Sequence, residues 1–536
     1  MQPGLLSEML TRVAGVIYAF DREDRPTAAA WKAAADAALA KDEGDDWTYA
    51  ADRLAGRLPL QITDRLAPPS SEAEFINLVR CLQMLDRWHA PLTGDENNIR
   101  PEPTSDHEML AIDIAVNGYI ARTDKGMLIP AYASLRSPGA RGASWQEARL
   151  EDWNAIIKRI NKGDDSKFPP ISRQDLLSSL LQYTAFLPGT LDDCRSRPLA
   201  LTYRQPLPGE TDAVHVARGD TPWKIGIAPM ALSDADVQLD LQTLGNGDTA
   251  YGIVPTYPDA RIDAVLDEAV AEGVEILLIP EMALPVAGEA RIRDRLRQLR
   301  KTTPIDDYRL RYIVAGVAAP PTPPAMTHTN AVIMLNGLTG ARIMFQHKLY
   351  GWDLNPTQMT RMGLQHRLDP LPPTLFENIT HGDELTILDI PDFGRFSALI
   401  CADMSEAHPG DWLLRSLSLD WLYSPIMDIN TPCVKIDDKR ANWIVHRATR
   451  AACSGKTRVM VTNSTALSSL TDAENNRLKN GYSCFPSGIG FMLDAAGASL
   501  RFGHFEHPRD EPAPPAKLLY VFDWNAGWNA YDDDVV

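Results

Sequence analysis

Three side chains in this sequence could together carry out substitution at a carbonyl carbon: Glu281, Lys348 and Cys401. Each follows a short aliphatic or β-branched run, in Glu275-Ile-Leu-Leu-Ile-Pro-Glu281, Ile343-Met-Phe-Gln-His-Lys348 and Phe396-Ser-Ala-Leu-Ile-Cys401. Such runs read as buried strands. A residue just past one lies at the strand's carboxyl end, where α/β folds keep their ligands. A thiol on a turn from strand to helix gains nearby backbone N–H groups, which stabilise a thiolate and later an oxyanion. A carboxylate can take the thiol proton and return it to a leaving group. An ammonium is a cationic donor for the oxyanion. A nucleophile, a base and an oxyanion donor are what a thioester route requires. Singly, each has an ordinary reading: a small core cysteine, a helix-start carboxylate, an exposed lysine.

Further landmarks follow in order. They are the run from Gly382 to Asp403, then Arg447-Ala-Thr-Arg450-Ala, then Val459-Met-Val-Thr-Asn463-Ser, then Phe485 to Gly497 with Ser487-Gly-Ile-Gly-Phe-Met-Leu-Asp-Ala-Ala-Gly. On these residues the chain from Trp223 to Trp524 resembles the carbon–nitrogen hydrolase (nitrilase) superfamily. The resemblance implies a four-layer α-β-β-α sandwich with Cys401 as nucleophile, Glu281 as base and Lys348 as oxyanion donor, helped by the backbone N–H of Ala402. Family members often carry a second glutamate near the lysine. Asp353 and Gln358 are near in sequence, but Glu377, just before His381-Gly382, is the favoured match. Ala402 and Asp403 look like the amidase, carbamoylase or glutaminase branches, since nitrile-hydrolysing members carry a bulky aromatic and a glutamate there. No cofactor or metal is implied. The implied partners are a small amide-type substrate and other copies of the chain in a homo-oligomer.

The elements that must position these residues alternate. Strands are predicted at 223–228, 276–280, 311–317, 330–336 and 343–347, with helices at 260–272 and 290–301, an α/β order. Pro320-Pro-Thr-Pro-Pro interrupts it as a stiff loop. Tyr350 to His381 is a long irregular stretch, and such loops inside compact domains are more often functional than neutral. His347 adjoins Lys348, so strand alternation points it to the opposite face. His408 reads as a surface turn.

Residues 1–205 read differently. An alanine-rich segment at 27–40, a capping-box helix from Ser71, and segments at 145–161 and 172–186 predict a mostly helical domain. Residues 206–222 read as a linker and 223–530 as the nitrilase-like domain. The helical domain carries no catalytic motif and reads as a packing or protein-docking appendage.

A chain of 536 residues expects two or more domains. Apolar content of 44% and charged content of 23% describe a soluble globular protein. A net charge of −18 argues against a surface that coats nucleic acid, leaving only indirect association. Six cysteines without a Cys-x-x-Cys spacing fit free thiols in a reducing cytoplasm. No signal peptide or membrane span is visible. The main expectation is a hydrolase of a non-peptide C–N bond. The alternative is a nitrilase-like interaction or scaffold module of a multi-protein bacterial system, such as a reverse-transcriptase-associated defence system. A redox-sensing thiol would need a resolving cysteine near Cys401.

Overall fold

The computed structural model describes residues 121–122, 126–130, 184–194, 197–206, 223–321, 326–361, 364–390, 393–406, 419–428, 457–464, 490–496, 499–505 and 518–524, with isolated positions elsewhere. The chain divides into two compact units. One holds residues 1–205, 389–395 and 407–419, and the other holds 206–388, 396–406 and 420–536.

In the first unit the described regular elements are strands. β1 (Ala121–Arg122), β2 (Gly126–Pro130) and β3 (Thr184–Pro188) form an antiparallel sheet in that order. β4 (Thr190–Cys194) and β5 (Arg197–Arg204) form an antiparallel pair. The described residues therefore do not support the expectation of a mostly helical domain. The helix read from Ser172 to Phe186 has given way to strand by Thr184. In β5 the buried Leu199 and Leu201 alternate with half-buried Ala200 and Thr202, the period of two that a half-covered strand needs. Helix propensity is a weak prior that such pairing overrides. The segments 27–40, 71–85 and 145–161, and most of 206–222, lie outside the described residues.

The second unit opens with β6 (Trp223–Ile227), β7 (Val237–Thr243), β8 (Thr249–Pro255), α1 (Ala260–Ala271), β9 (Ile276–Pro285) and α2 (Gly288–Thr302). It continues with β10 (Tyr312–Ala319), β11 (Thr329–Asn336), β12 (Arg342–His347), α3 (Pro356–Arg361) and β13 (Phe376–Glu377). Then come β14 (Glu384–Ile390), β15 (Gly394–Ala398), β16 (Trp421–Ile426), β17 (Arg458–Asn463), β18 (Gly490–Ala496), β19 (Ser499–Phe505) and β20 (Tyr520–Trp524).

One sheet runs β12-β11-β10-β9-β6-β20, parallel at its centre and antiparallel toward both edges. A second carries β19-β18-β17-β16-β15-β14. The sheets face each other: the Tyr423 hydroxyl on β16 donates to the Ile279 carbonyl on β9 at 2.6 Å. Gln346 Nε2 on β12 likewise donates to the Ala398 carbonyl at 2.7 Å. The outer face of the first sheet is covered by α1 and α2, whose Ile262, Val265, Leu266, Ile292 and Leu296 pack on Leu277, Ile313 and Ile333. With both faces covered, β9 and β10 need near-continuous apolar runs, and that is what made them legible as strands. The residues expected to supply the outer helical layer of the second sheet lie almost wholly outside the described residues.

The pairing of β9 with β10 contains the feature that places Glu281. Ala315 pairs with Ile279, but the next pair is Val317 with Leu284. Pro280 to Ala283 therefore stand opposite Gly316 alone, a large bulge that re-aims side chains. Within it Met282 has a positive φ of 49°. Glu281 thus lies inside β9, not at its end as the sequence suggested. The bulge fits because Gly316 has no Cβ: one built there would stand 2.3 Å from the Pro280 carbonyl oxygen and 2.6 Å from Glu281 Cα. Both atoms are backbone and cannot swing away. We expect Gly316→Ala to destabilise by about 1–3 kcal/mol or more, read as a lowered urea midpoint. A midpoint equal to wild type would contradict this packing.

Candidate active site

The centre of the site is the Lys348 ammonium, one residue past β12 and with a side chain 1% exposed. Its Nζ donates to Glu281 Oε1 at 2.9 Å and to Glu377 Oε2 at 2.8 Å. An ammonium has three donors, so these carboxylates take two. Asn330 Nδ2 bridges the same pair, donating to Glu281 Oε1 at 2.9 Å and Glu377 Oε1 at 3.0 Å. Backbone N–H groups complete the shell: Met427 donates to Glu281 Oε2 at 2.9 Å and Trp352 to Glu377 Oε2 at 2.6 Å. Burying charges is costly unless each is paired and hydrogen-bonded, and here every carboxylate oxygen is. Burial alone would lower the Lys348 pKa. Glu281 and Glu377 outweigh that and hold it well above the ordinary lysine value.

Glu377 reaches the site from the two-residue strand β13, which pairs with β8. The stretch Tyr350–His381, read as irregular, in fact holds α3 and β13. Of the other polar side chains weighed there, Asp353 accepts the Glu377 N–H at 3.3 Å and Gln358 bonds with Asn355 at the start of α3. Neither has a hydrogen bond to Lys348 among the described residues.

Cys401 follows β15 after two residues and opens the 3-10 turn Cys401–Ser405. It is buried and adopts φ +45°, the left-handed region unusual for a non-glycine residue. The Ala402 N–H is in the first turn, where a helix offers no acceptor behind it. The thiol feels the charges of Glu281, Lys348, Asp428 and Glu377. Burial, then Glu281, push its pKa well above the ordinary thiol value, and Lys348 pulls the other way. Burial and Glu281 thus oppose the thiolate stabilisation expected at this turn, while Lys348 favours it.

Two members escaped the sequence reading. Asn330 appeared there only as the first residue of a strand. Asp403 served only as a marker of substrate branch, yet its buried carboxylate accepts from the Leu349 N–H at 3.1 Å, Tyr350 N–H at 2.9 Å and Ile400 N–H at 3.1 Å. Burial pushes its pKa up to about 7, against the pull of Lys348 and those three N–H groups. No signal in the sequence marks such backbone-bound partners. Beside the site Trp352 stacks on Trp443, with ring centroids 5.7 Å apart, and Trp443 Nε1 donates to Asp428 at 3.3 Å. His347 packs edge-on against Phe345. His408, Cys81, Cys433, Cys453 and Cys484 lie outside the described residues. Among the described residues no group of three His, Cys, Asp or Glu could hold a metal ion. No described helix is long and apolar enough to cross a membrane.

No family model matches the chain, and no curated protein matches it. Among solved structures, an amidase from Nesterenkonia sp. aligns with 12% identity and a TM-score of 0.32, over 58% of this chain and 93% of that one. A CN-hydrolase superfamily protein from Xanthomonas campestris aligns with 15% identity and a TM-score of 0.27, over 45% of this chain and 76% of that one. A glutamine-dependent NAD+ synthetase from Acinetobacter baumannii aligns with 12% identity and a TM-score of 0.28, over 55% of this chain and 49% of that one. At these TM-scores the likeness decides neither fold nor reaction, and the case for chemistry rests on the side chains.

Removing the ammonium would leave two buried carboxylates unpaired. Lys348→Met is expected to cost about 3–5 kcal/mol near neutral pH, measured by urea unfolding. Because the folded pKa of Lys348 lies above its unfolded value, its contribution is fully present below the ordinary lysine value of 10.5 and fades as pH rises through the folded value. The gap between wild type and variant should therefore narrow above that pH. A gap that is absent, or that widens with alkali, would contradict the assignment.

Proposed function

We propose that the second unit hydrolyses a non-peptide carbon–nitrogen bond of the amide type through a thioester on Cys401. One observation carries this reading: a buried ammonium gripped by two carboxylates beside a buried thiol on which all three charges act.

The chemistry follows from what each group can do. Glu281 takes the thiol proton as sulfur attacks the carbonyl carbon, so a thiolate forms only as the S–C bond does. The carbonyl oxygen becomes an oxyanion, held by the Ala402 N–H and by the third donor of Lys348. Glu377 holds the ammonium by a second hydrogen bond. The C–N bond then breaks as Glu281 passes its proton to the leaving nitrogen. Glu281 next deprotonates a water that attacks the thioester, and the collapse releases a carboxylic acid and restores the thiol. The raised thiol pKa suits this sequence, since attack waits for a substrate carbonyl in position.

The Glu377 carboxylate bonded to Lys348 favours a working site over a pure interaction module.

Ammonia or amine release should be screened over aliphatic and aromatic primary amides, N-carbamoyl compounds and ω-amides of amino acids. On any substrate turned over, we expect Cys401→Ala to abolish turnover, Lys348→Gln to cost about 10²–10³ and Glu281→Gln about 10²–10⁴. Undiminished turnover in Cys401→Ala would contradict the reading.

A further inference from the structure

The proposed reaction gives no role to the buried carboxylate nearest its nucleophile in the chain. Asp403 lies two residues past the nucleophile and is 0% exposed, and among the described residues its carboxylate has no hydrogen bond to Glu281, Lys348 or Cys401. Its oxygens are spent on backbone. Oδ1 accepts from the N–H groups of Leu349 and Tyr350, the two residues directly after Lys348, at 3.1 and 2.9 Å. Oδ2 accepts from Leu349 at 3.2 Å and from Ile400, the residue directly before Cys401, at 3.1 Å. The Asp403 N–H in turn donates to the Ile400 carbonyl at 3.0 Å. One carboxylate thus ties the chain leaving Lys348 to the chain entering Cys401.

Those two segments come from different sheets. Lys348 follows β12, an edge strand of the first sheet, while Cys401 follows β15 of the second. Facing sheets are joined mainly by side-chain packing, which sets a separation but resists sliding poorly. A charged acceptor bonded to backbone on both sides fixes register as well as distance, and such bonds are stronger than neutral ones. The same tie braces the positive φ of Cys401, a conformation that persists only where its surroundings over-determine it.

We propose, resting on the reading of Cys401 as nucleophile and Lys348 as oxyanion donor, that Asp403 is the positioning residue that sets the placement of the Cys401 thiol against the Lys348 ammonium. It acts through those two groups and does not touch the substrate. Among the described residues the charge acting on it is Lys348.

The test is the pH profile of Cys401 alkylation by iodoacetamide, followed on the Cys401 peptide by mass spectrometry, with thermal melting of each variant alongside. The proteins are wild type, Asp403→Asn, Asp403→Glu and Lys348→Gln. Lys348 pulls the thiol pKa down, so loosening its placement should move the profile up. Asp403→Asn should move the midpoint to higher pH, and below the midpoint alkylation should slow about tenfold for every whole pH step that it moves. Asp403→Glu, which keeps the charge but displaces it by a methylene, should fall between Asp403→Asn and wild type, and it decides the matter if Asp403→Asn does not fold. A purely structural aspartate would lower the melting temperature and leave the midpoint at the wild-type value, which would overturn the proposal. If Lys348→Gln moves the midpoint and the Asp403 variants do not, only the positioning role falls. If Lys348→Gln leaves it unmoved, Lys348 does not act on the thiol, and the hydrolase reading falls together with the proposal.

Discussion

An ammonium buried to 1% exposure between two carboxylates is the constraint on which the second unit turns. Such a group survives in a low-dielectric interior only if it is paired and every remaining lone pair is met. Meeting that demand draws in elements far apart in the chain. β9 supplies Glu281, β13 supplies Glu377, and β11 supplies Asn330 to bridge them. The backbone after β16 supplies the Met427 N–H, and the insertion supplies the Trp352 N–H. Loss of Lys348 leaves two carboxylates without their cation, and loss of the Met427 N–H leaves Glu281 Oε2 without a donor. The bulge opposite Gly316 belongs to the same requirement, because an unbroken β9 would not turn the Glu281 carboxylate to this point.

The arrangement also explains why a thiol with a high pKa suits the chemistry. A cysteine held as thiolate in a buried site would need a cation of its own, whereas here the cation is engaged by two anions. Burial and Glu281 favour the protonated sulfur, and in the proposed reaction Glu281 is also the group that removes the proton. Repulsion between carboxylate and thiolate at rest becomes proton transfer once a carbonyl can accept the sulfur. Base and nucleophile are therefore coupled by the field that keeps both inert.

Much of the second unit was legible from residue pattern. The aliphatic runs of β9, β10 and β11 are strands because both faces are covered, and α1 and α2 show the apolar stripe they pack by. Lys348 and Cys401 lie just past β12 and β15, where the runs put them. Glu281 was misplaced to a strand end because the bulge depends on a glycine in the neighbouring strand, which local pattern cannot reveal. Glu377 was a weak choice in the sequence, since a two-residue strand inside an insertion has no periodicity. Asn330 and Asp403 carried no signal, as their partners lie about fifty residues away along the chain and are partly backbone. In the first unit the segment read as a helix from Ser172 to Phe186 is strand over its last three residues, since β3 begins at Thr184.

The central claim is that Cys401 forms an acyl bond, and intact-mass analysis tests it most directly. Wild type and Glu281→Gln would be mixed with activated esters and with amides, quenched in acid and weighed. The account expects an added acyl mass on the Cys401 peptide, longer-lived in Glu281→Gln, and removed by hydroxylamine as a thioester must be. No adduct at Cys401 with any acyl donor, or an adduct on another residue that persists in Cys401→Ala, would contradict it.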